Sequence, residues 1–106
     1  MATMKPSSDA SSATLVGDLV GSRDAADRRA LHLALLEALT QINTDLTDEV
    51  VDPVRITVGD EFQGRFTSVG AAVQASLVLR LALMPAADVR FGLGWGAVTV
   101  LDVDGT

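Results

Sequence analysis

Three acidic residues of this sequence stand where they could bind a metal ion. Asp18 lies in the apolar segment LVGDLV, and Asp60 and Glu61 follow Gly59 in the segment RITVGDEFQGRF, residues 55–66. A carboxylate inside an apolar strand is costly unless it has a partner or a function, whereas Asp60 could merely complete a tight Gly-Asp turn. Carboxylate oxygens suit Mg²⁺ or Mn²⁺. Whether these acids act together depends on the elements that position them.

Length and composition predict a single small folded domain. The 106 residues are 48% apolar and include few aromatic residues, so we expect one core of aliphatic side chains. The net charge of −6 and the scattered basic residues argue against binding to nucleic acid or to an anionic membrane by this chain alone. The lack of cysteine and of a signal peptide indicates a cytoplasmic protein. No apolar run is long enough to cross a membrane.

The first half of the chain reads as a leader, a strand and a helix. Residues 1–13 are rich in Ser and Ala and are predicted to be a disordered leader, so the domain spans residues 14–106. Residues 14–22 begin with an apolar run suited to a buried strand. Residues 23–46 follow with Asp24 as a candidate N-cap and with an apolar stripe at helical spacing. The stripe consists of Leu31, Leu35, Leu39, Ile42 and Leu46.

The second half reads as a hairpin, a helix and a strand. Residues 55–66 place two strand-like runs around the Gly-Asp turn. Residues 68–85 are an apolar segment in which Ser68 is a suitable N-cap and Pro85 stops the helix. Because this second helix is apolar nearly all round, we expect it to be well buried. Residues 88–101 are predicted to be the last strand.

The last strand has one apolar face and one face rich in glycine. The apolar face consists of Val89, Phe91, Leu93 and Trp95, and the other of Arg90, Gly92, Gly94 and Gly96. Glycines on one strand face indicate close approach of a helix, another backbone or a ligand, and packing against a helix is the favoured explanation. We expect Trp95 in the core or in an interface. Arg90 could form an ion pair with Asp18 or Asp60, or bind phosphate.

The order β-α-β-β-α-β predicts an α+β fold of the ferredoxin-like type, with one four-stranded antiparallel sheet and both helices on one face. Strands one and three are neighbours in that fold, so the end of strand one meets the turn between strands two and three. Asp18 and Asp60 are therefore predicted to face each other within reach of one Mg²⁺ or Mn²⁺. Gly21 and Ser22 lie just beyond, where N–H groups at a helix N-terminus favour a phosphate. Glu61 begins a strand and could simply face solvent.

Three motifs, taken in order, resemble known families. VGDLVGSRD, ITVGDEFQGRF and VRFGLGWGAV are similar to segments of class III nucleotidyl cyclase domains. The combination of GDLVGSRD, VGDEFQG and RFGLGWG most resembles the SatD family, bacterial proteins of poorly defined function. The resemblance covers roughly residues 14–101. GDEF is more distantly similar to the GGDEF diguanylate cyclases, whose second glycine is replaced here by Val58.

The cyclase resemblance implies a ligand and a set of site residues. By this resemblance Asp18 and Asp60 bind the metal, and the backbone carbonyl of Leu19 assists them. Gly21 and Ser22 contact the phosphates of a purine nucleotide. The resemblance also implies association as a homodimer.

Two departures from the cyclase pattern argue against turnover. Ile56 stands where cyclases carry a purine-reading lysine, and the adjacent Arg55 would point to the opposite face. The region that supplies cyclases with transition-state Asn and Arg residues would lie beyond Thr106, so we expect a longer natural protein or an abbreviated form. We therefore predict no catalytic residue and expect a nucleotide- or metal-responsive regulatory module. The alternatives are a divergent Mg²⁺-dependent nucleotidyl cyclase or nucleotidyltransferase half completed by another chain, and a protein-interaction domain.

Overall fold

The protein folds into a four-stranded antiparallel sheet with two helices packed on one face. The computed structural model describes residues 11–20 and 25–97; the predicted leader up to residue 10 and the predicted strand residues 98–101 lie outside them. The elements are β1 (Ser11–Val20), α1 (Ala25–Asp45), β2 (Val50–Val58), β3 (Glu61–Phe66), α2 (Val69–Leu83) and β4 (Asp88–Ala97). The strand order is β2-β3-β1-β4. The predicted ferredoxin-like fold is confirmed.

β1 is a central strand and pairs with β3 on one side and β4 on the other. It begins at Ser11, three residues before the predicted start, and pairs with β4 over all ten of its residues. Alternation along β1 places Ala13, Leu15 and Leu19 in the core. The other face of the sheet, which carries Asp18, is not covered by either helix, and we call it the open face.

α1 covers the β2 side of the sheet and forms as its apolar stripe predicts. Leu31, Leu35, Leu39 and Ile42 are buried, and Leu46, one turn further on, packs against the same core. The predicted N-cap Asp24 lies outside the described residues. The helix is followed by a short 3-10 helix (Thr47–Glu49) that leads into β2. α1 and α2 also contact each other over the core.

The β2–β3 hairpin turns at Gly59 and Asp60, as the sequence predicts. Gly59 has φ of +56°, a conformation that glycine adopts without strain. β2 is longer than predicted, because it begins at Val50, five residues before the predicted strand-like run. These five residues include Pro53, which a strand tolerates at a sheet edge because its missing N–H is not needed there.

α2 is only half buried, which corrects the prediction of a well-buried helix. The N-cap prediction is confirmed, since the Ser68 hydroxyl accepts a hydrogen bond from the Ala71 N–H at 3.1 Å. The inner face is buried and consists of Ala71, Ala72, Ala75, Leu79 and Leu83. The outward residues Val69, Val73, Leu77 and Leu81, however, are exposed. The helix lies on the surface of a two-layer domain, and no described residue covers its outer side.

The glycine face of β4 lies on the open face of the sheet, so its explanation by helix packing is wrong. Val89 points to the helices and is buried, whereas a Cβ added at Gly94 or Gly96 would meet nothing within 4 Å. Trp95 is on the helix-facing side of β4, an edge strand, and is 56% exposed. The prediction of a core tryptophan is therefore wrong, and the interface alternative stays open.

Candidate functional site

Three charged side chains form a row across the open face of the sheet. The register places Asp18 of β1 directly opposite Glu61 of β3 and, on the other side, directly opposite Arg90 of β4. Side chains at directly opposed positions point to the same face and lie within contact distance. Two like charges in such positions repel each other, so Arg90 supplies the opposite charge that this row requires.

Arg90 holds the Asp18 carboxylate through two hydrogen bonds. Its Nε donates to Oδ1 at 3.1 Å, and its Nη2 donates to Oδ2 at 2.8 Å. These hydrogen bonds to Arg90 lower the pKa of the Asp18 carboxyl from its ordinary value, while partial burial opposes the shift. The guanidinium remains accessible, since the side chain of Arg90 is 73% exposed and that of Asp18 is 28% exposed. Of the pairings considered from the sequence, the one between Arg90 and Asp18 is confirmed.

This ion pair lies in a surface groove of about 440 Å³. The groove extends across β2, β3, β1 and β4 and combines charged, amide and hydroxyl groups with apolar walls. Its lining consists of Val16, Gly17, Asp18, Thr57, Glu61, Phe62, Gln63, Arg90, Phe91 and Gly92. A groove of this size and mixed lining is suited to a small polar ligand.

The floor of the groove is closed at Gly17 by aromatic rings. A Cβ at Gly17 would lie 2.7 Å from the Arg90 carbonyl oxygen and 2.8 Å from Cε1 of Phe62, so the position requires glycine. Phe62 in turn packs edge-on against Phe91, with ring centroids 6.1 Å apart. The Arg80 guanidinium lies 5.4 Å from the centre of the Phe91 ring. The strands that carry Glu61, Asp18 and Arg90 are therefore held together by close packing around Gly17.

Asp60 lies in the adjacent hairpin turn but has a different neighbour. Its Oδ1 is 4.0 Å from Nδ1 of His32 on α1. The next residue, Glu61, is the register partner of Asp18, so the backbones of all three acids meet at one end of the sheet. The described side chains of Asp18 and Asp60 nevertheless contact different partners, Arg90 in one case and His32 in the other.

Binding of a metal ion by Asp18, Leu19 and Asp60 remains a prediction, and so does binding of phosphate by Gly21 and Ser22. Gly21 and Ser22 lie outside the described residues. Leu19 packs its side chain in the core, and its carbonyl is the predicted ligand. Within residues 11–20 and 25–97, no group of three or more His, Asp or Glu side chains is preassembled around a metal position. Mg²⁺ is commonly held by only one or two carboxylates together with water and phosphate oxygens, and Asp18 with Asp60 or Glu61 provides donors of that kind.

Sequence reasoning gave too little weight to Glu61 and did not consider Gln63 or Thr57. All three line the groove, and the Thr57 hydroxyl is 3.4 Å from the Glu61 carbonyl oxygen. Strand alternation was the available signal, because it places Glu61 and Gln63 on one face of β3. The identity of that face as the one with Asp18 depends on the pairing register, which the sequence does not reveal.

A comparison with known protein families agrees with the SatD resemblance of the three sequence motifs. The model of the SatD family matches residues 13–105, which include all of the described elements except the first two residues of β1. No curated protein matches the sequence. Among the described helices, none combines the length and apolar character needed to cross a membrane. Since the family match extends over most of its length, the chain belongs to the SatD family.

Proposed function

We propose that this domain binds a nucleotide together with a divalent cation in the groove around Asp18, and that it acts as a ligand-responsive regulatory module. The observation that carries the proposal is the ion pair between Asp18 and the exposed Arg90. This pair holds an anion-binding group and a cation-binding group side by side, each neutralised by the other. A phosphate with its metal ion offers both groups a new partner at once.

Arg90 is the phosphate-binding group of the proposal. A guanidinium binds phosphate with the same planar, two-point geometry that it uses for a carboxylate. Arg90 already presents this geometry to Asp18, and most of its side chain faces solvent. Exposed ion pairs contribute little net stability, so an incoming phosphate displaces the carboxylate at small cost.

Asp18 is the principal metal-binding group of the proposal, assisted by the Leu19 carbonyl and by Asp60 or Glu61. These are oxygen donors, which Mg²⁺ and Mn²⁺ prefer. A bound cation would neutralise the phosphate charge and fix its position in the groove. When the cation binds Asp18 and the phosphate binds Arg90, both side chains remain charged and each has a new partner. Binding of either ligand alone would leave one of the two side chains unpaired, so the cation and the nucleotide should bind together.

We expect binding without efficient turnover by these residues. Phosphoryl transfer requires cationic groups that stabilise the charge of the transition state. Among the residues that line the groove, the cationic side chain is that of Arg90. The resemblance to cyclases implies a purine nucleotide, and Ile56 in place of their lysine leaves the choice of base open.

Thermal unfolding of the purified domain tests the proposal. The melts contain Mg²⁺ or Mn²⁺ alone, each purine nucleotide alone, and each combination. A ligand at about 100 times its Kd adds about 2.7 kcal/mol to the free energy of unfolding, which raises the Tm by several degrees in a domain of this size. We expect this shift only when metal and nucleotide are both present.

Four variants locate the binding site. D18N and R90Q are expected to abolish the shift, and D60A is expected to reduce its dependence on metal. D45N is the matched control, since Asp45 lies on α1 and its side chain bonds only Gln41 among the described contacts. No shift with any combination would overturn the proposal. A shift that D18N and R90Q leave intact would place the ligand elsewhere.

A turnover assay on the same samples decides between the module and the enzymatic alternative. Consumption of ATP or GTP in Mn²⁺, lost in D18N, would favour a nucleotidyl cyclase or nucleotidyltransferase half completed by another chain. A shift without turnover would favour the regulatory module. Neither a shift nor turnover would favour a protein-interaction domain.

A further inference from the structure

The two edges of the sheet differ in how they are protected against strand pairing. β2, at one edge, includes Pro53 and the charged residues Asp52 and Arg55, and its register with β3 shifts at three places. Proline, charge and irregular register are the features by which edge strands avoid pairing with other chains. This edge is therefore unsuited to accept another strand.

β4, at the opposite edge, has neither proline nor an irregular register over its described length, and its charged residues are confined to its first three positions. It runs for ten residues from Asp88 to Ala97 without proline and pairs with β1 without a register shift. Its outer backbone edge has no strand partner among the described residues. Long, regular, uncharged edges of this kind accept a further strand, and the last seven residues of β4, from Phe91, carry no charge.

An apolar surface lies beside this edge, on the helix side of the sheet. Leu93 and Trp95 point to that side and are 45% and 56% exposed. Val69, Val73, Leu77 and Leu81, spaced four residues apart, form the outer stripe of α2. Contacts from Arg80 to Asp88 and to the Val89 carbonyl show that the end of α2 lies beside the start of β4. Since β4 returns along α2, Leu93 and Trp95 lie near the first turns of the helix.

We propose that a second copy of this chain binds at this surface, with its β4 antiparallel to the first β4. The two sheets then form one continuous eight-stranded sheet about a two-fold axis. Such an arrangement uses the same strand from both copies, as closed two-fold symmetry requires. It also brings the two copies of Leu93, Trp95 and the adjacent part of α2 together on the helix side, so one partner covers both the edge and the apolar surface.

Charge and size agree with a second copy as the partner. Among the described residues, the charged groups next to the surface are paired, since Arg80 contacts Asp88 at 2.9 Å and Arg90 contacts Asp18. The described parts of two copies therefore meet without unpaired like charges, despite the net charge of −6. A stable interface buries about 800 Å² on each partner. To such an interface the ten-residue edge of β4 contributes backbone hydrogen-bonding groups, and the half-exposed Leu93 and Trp95 contribute apolar area.

Molar mass in solution, measured by light scattering and sedimentation over a range of concentrations, tests the proposal. We expect a dimer of the wild-type chain that dissociates on dilution. Trp95 is the only tryptophan, so its emission should shift to the red as the dimer dissociates. L93K is expected to give a monomer, because a lysine on an edge strand opposes pairing. L33K is the matched control, since Leu33 is 60% exposed on α1, away from this surface.

Hydrogen exchange separates strand pairing from other modes of association. In the dimer, the outward-facing amides of β4 should exchange slowly, and L93K should make them fast. A monomeric wild-type chain would overturn the proposal. This holds even if the β4 amides exchange slowly, because another segment of the same chain would then be paired with the edge of β4. A dimer that L93K leaves intact, or whose β4 amides exchange freely, would overturn it as well. None of these results depends on a ligand in the groove.

Discussion

Asp18 and Arg90, 72 residues apart in the chain, are joined by two hydrogen bonds across the neighbouring strands β1 and β4. The pair links a central strand to an edge strand on the open face of the sheet. Because Glu61 lies on the other side of Asp18, two carboxylates and a guanidinium form one row with Asp18 in the middle. This row sets the distribution of charge in the groove. Within it, Arg90 lowers the pKa of the Asp18 carboxyl.

The contribution of this pair to stability should disappear at acidic pH. Arg90 lowers the pKa of Asp18 in the folded protein, so the folded state favours the ionised carboxylate more than the unfolded state does. The resulting stability is present above the unfolded pKa and is lost as the pH falls through the folded pKa. We expect the Tm difference between wild type and D18N to be constant near neutral pH, to shrink once the pH falls below about 4, and to vanish below the lowered pKa of the folded protein.

Thermal melts from neutral to acidic pH measure this difference, with D45N as the control for loss of one exposed carboxylate. A Tm difference that grows on acidification would contradict the assigned direction of the Asp18 pKa. R90Q should remove the same pH dependence as D18N, since either change breaks both hydrogen bonds.

Asn43 should be one of the most sensitive polar positions in the protein. Its side-chain amide donates to the Val54 carbonyl and accepts from the Val54 N–H, both at 2.9 Å. Val54 is buried on β2, so N43A would leave two backbone groups without partners. We expect a loss of about 2–4 kcal/mol in the free energy of unfolding, measured by urea denaturation. Q41A, which removes an exposed bond to Asp45, should change it by less than about 0.5 kcal/mol.

Gly64 should not tolerate a side chain. A Cβ at this position would lie 2.6 Å from Cγ2 and 2.7 Å from Cα of Val54. Because a backbone atom would have to move, we expect G64A to cost about 1–3 kcal/mol. G94A introduces the same methyl group on β4, where it meets nothing within 4 Å, and should be nearly neutral. Equal urea midpoints for the two variants would show that β2 relaxes away from β3.

The Ser68 cap should make a measurable contribution to α2. S68A removes the acceptor for the Ala71 N–H and should cost about 1 kcal/mol, whereas S68D keeps an acceptor at the helix N-terminus and should cost less. S76A is the control, since the Ser76 hydroxyl bonds the Val73 carbonyl within the helix. If S68A and S76A had the same Tm, the cap would contribute nothing to stability.

The sequence by itself determined the local elements and their order. The four-residue spacing of Leu31, Leu35 and Leu39 specified α1, Ser68 specified the start of α2, and Gly59 with Asp60 specified the hairpin turn. Each of these signals acts within a few residues, through helix periodicity, capping or a permitted backbone conformation. The order of the elements then led to the ferredoxin-like sheet, and three short motifs led to the SatD family.

Only the tertiary structure decided which groups meet. Alternation along β4 predicted a glycine face and an apolar face, but it did not show which of them the helices cover. The helices pack on the apolar face, so the glycines lie on the open face. The apolar outer stripe of α2 is exposed because two helices form a single layer over the sheet, a property of the whole domain. The partners of Asp18, Asp60 and Asn43 depend on register and packing between distant segments, and no local pattern in the sequence encodes those distances.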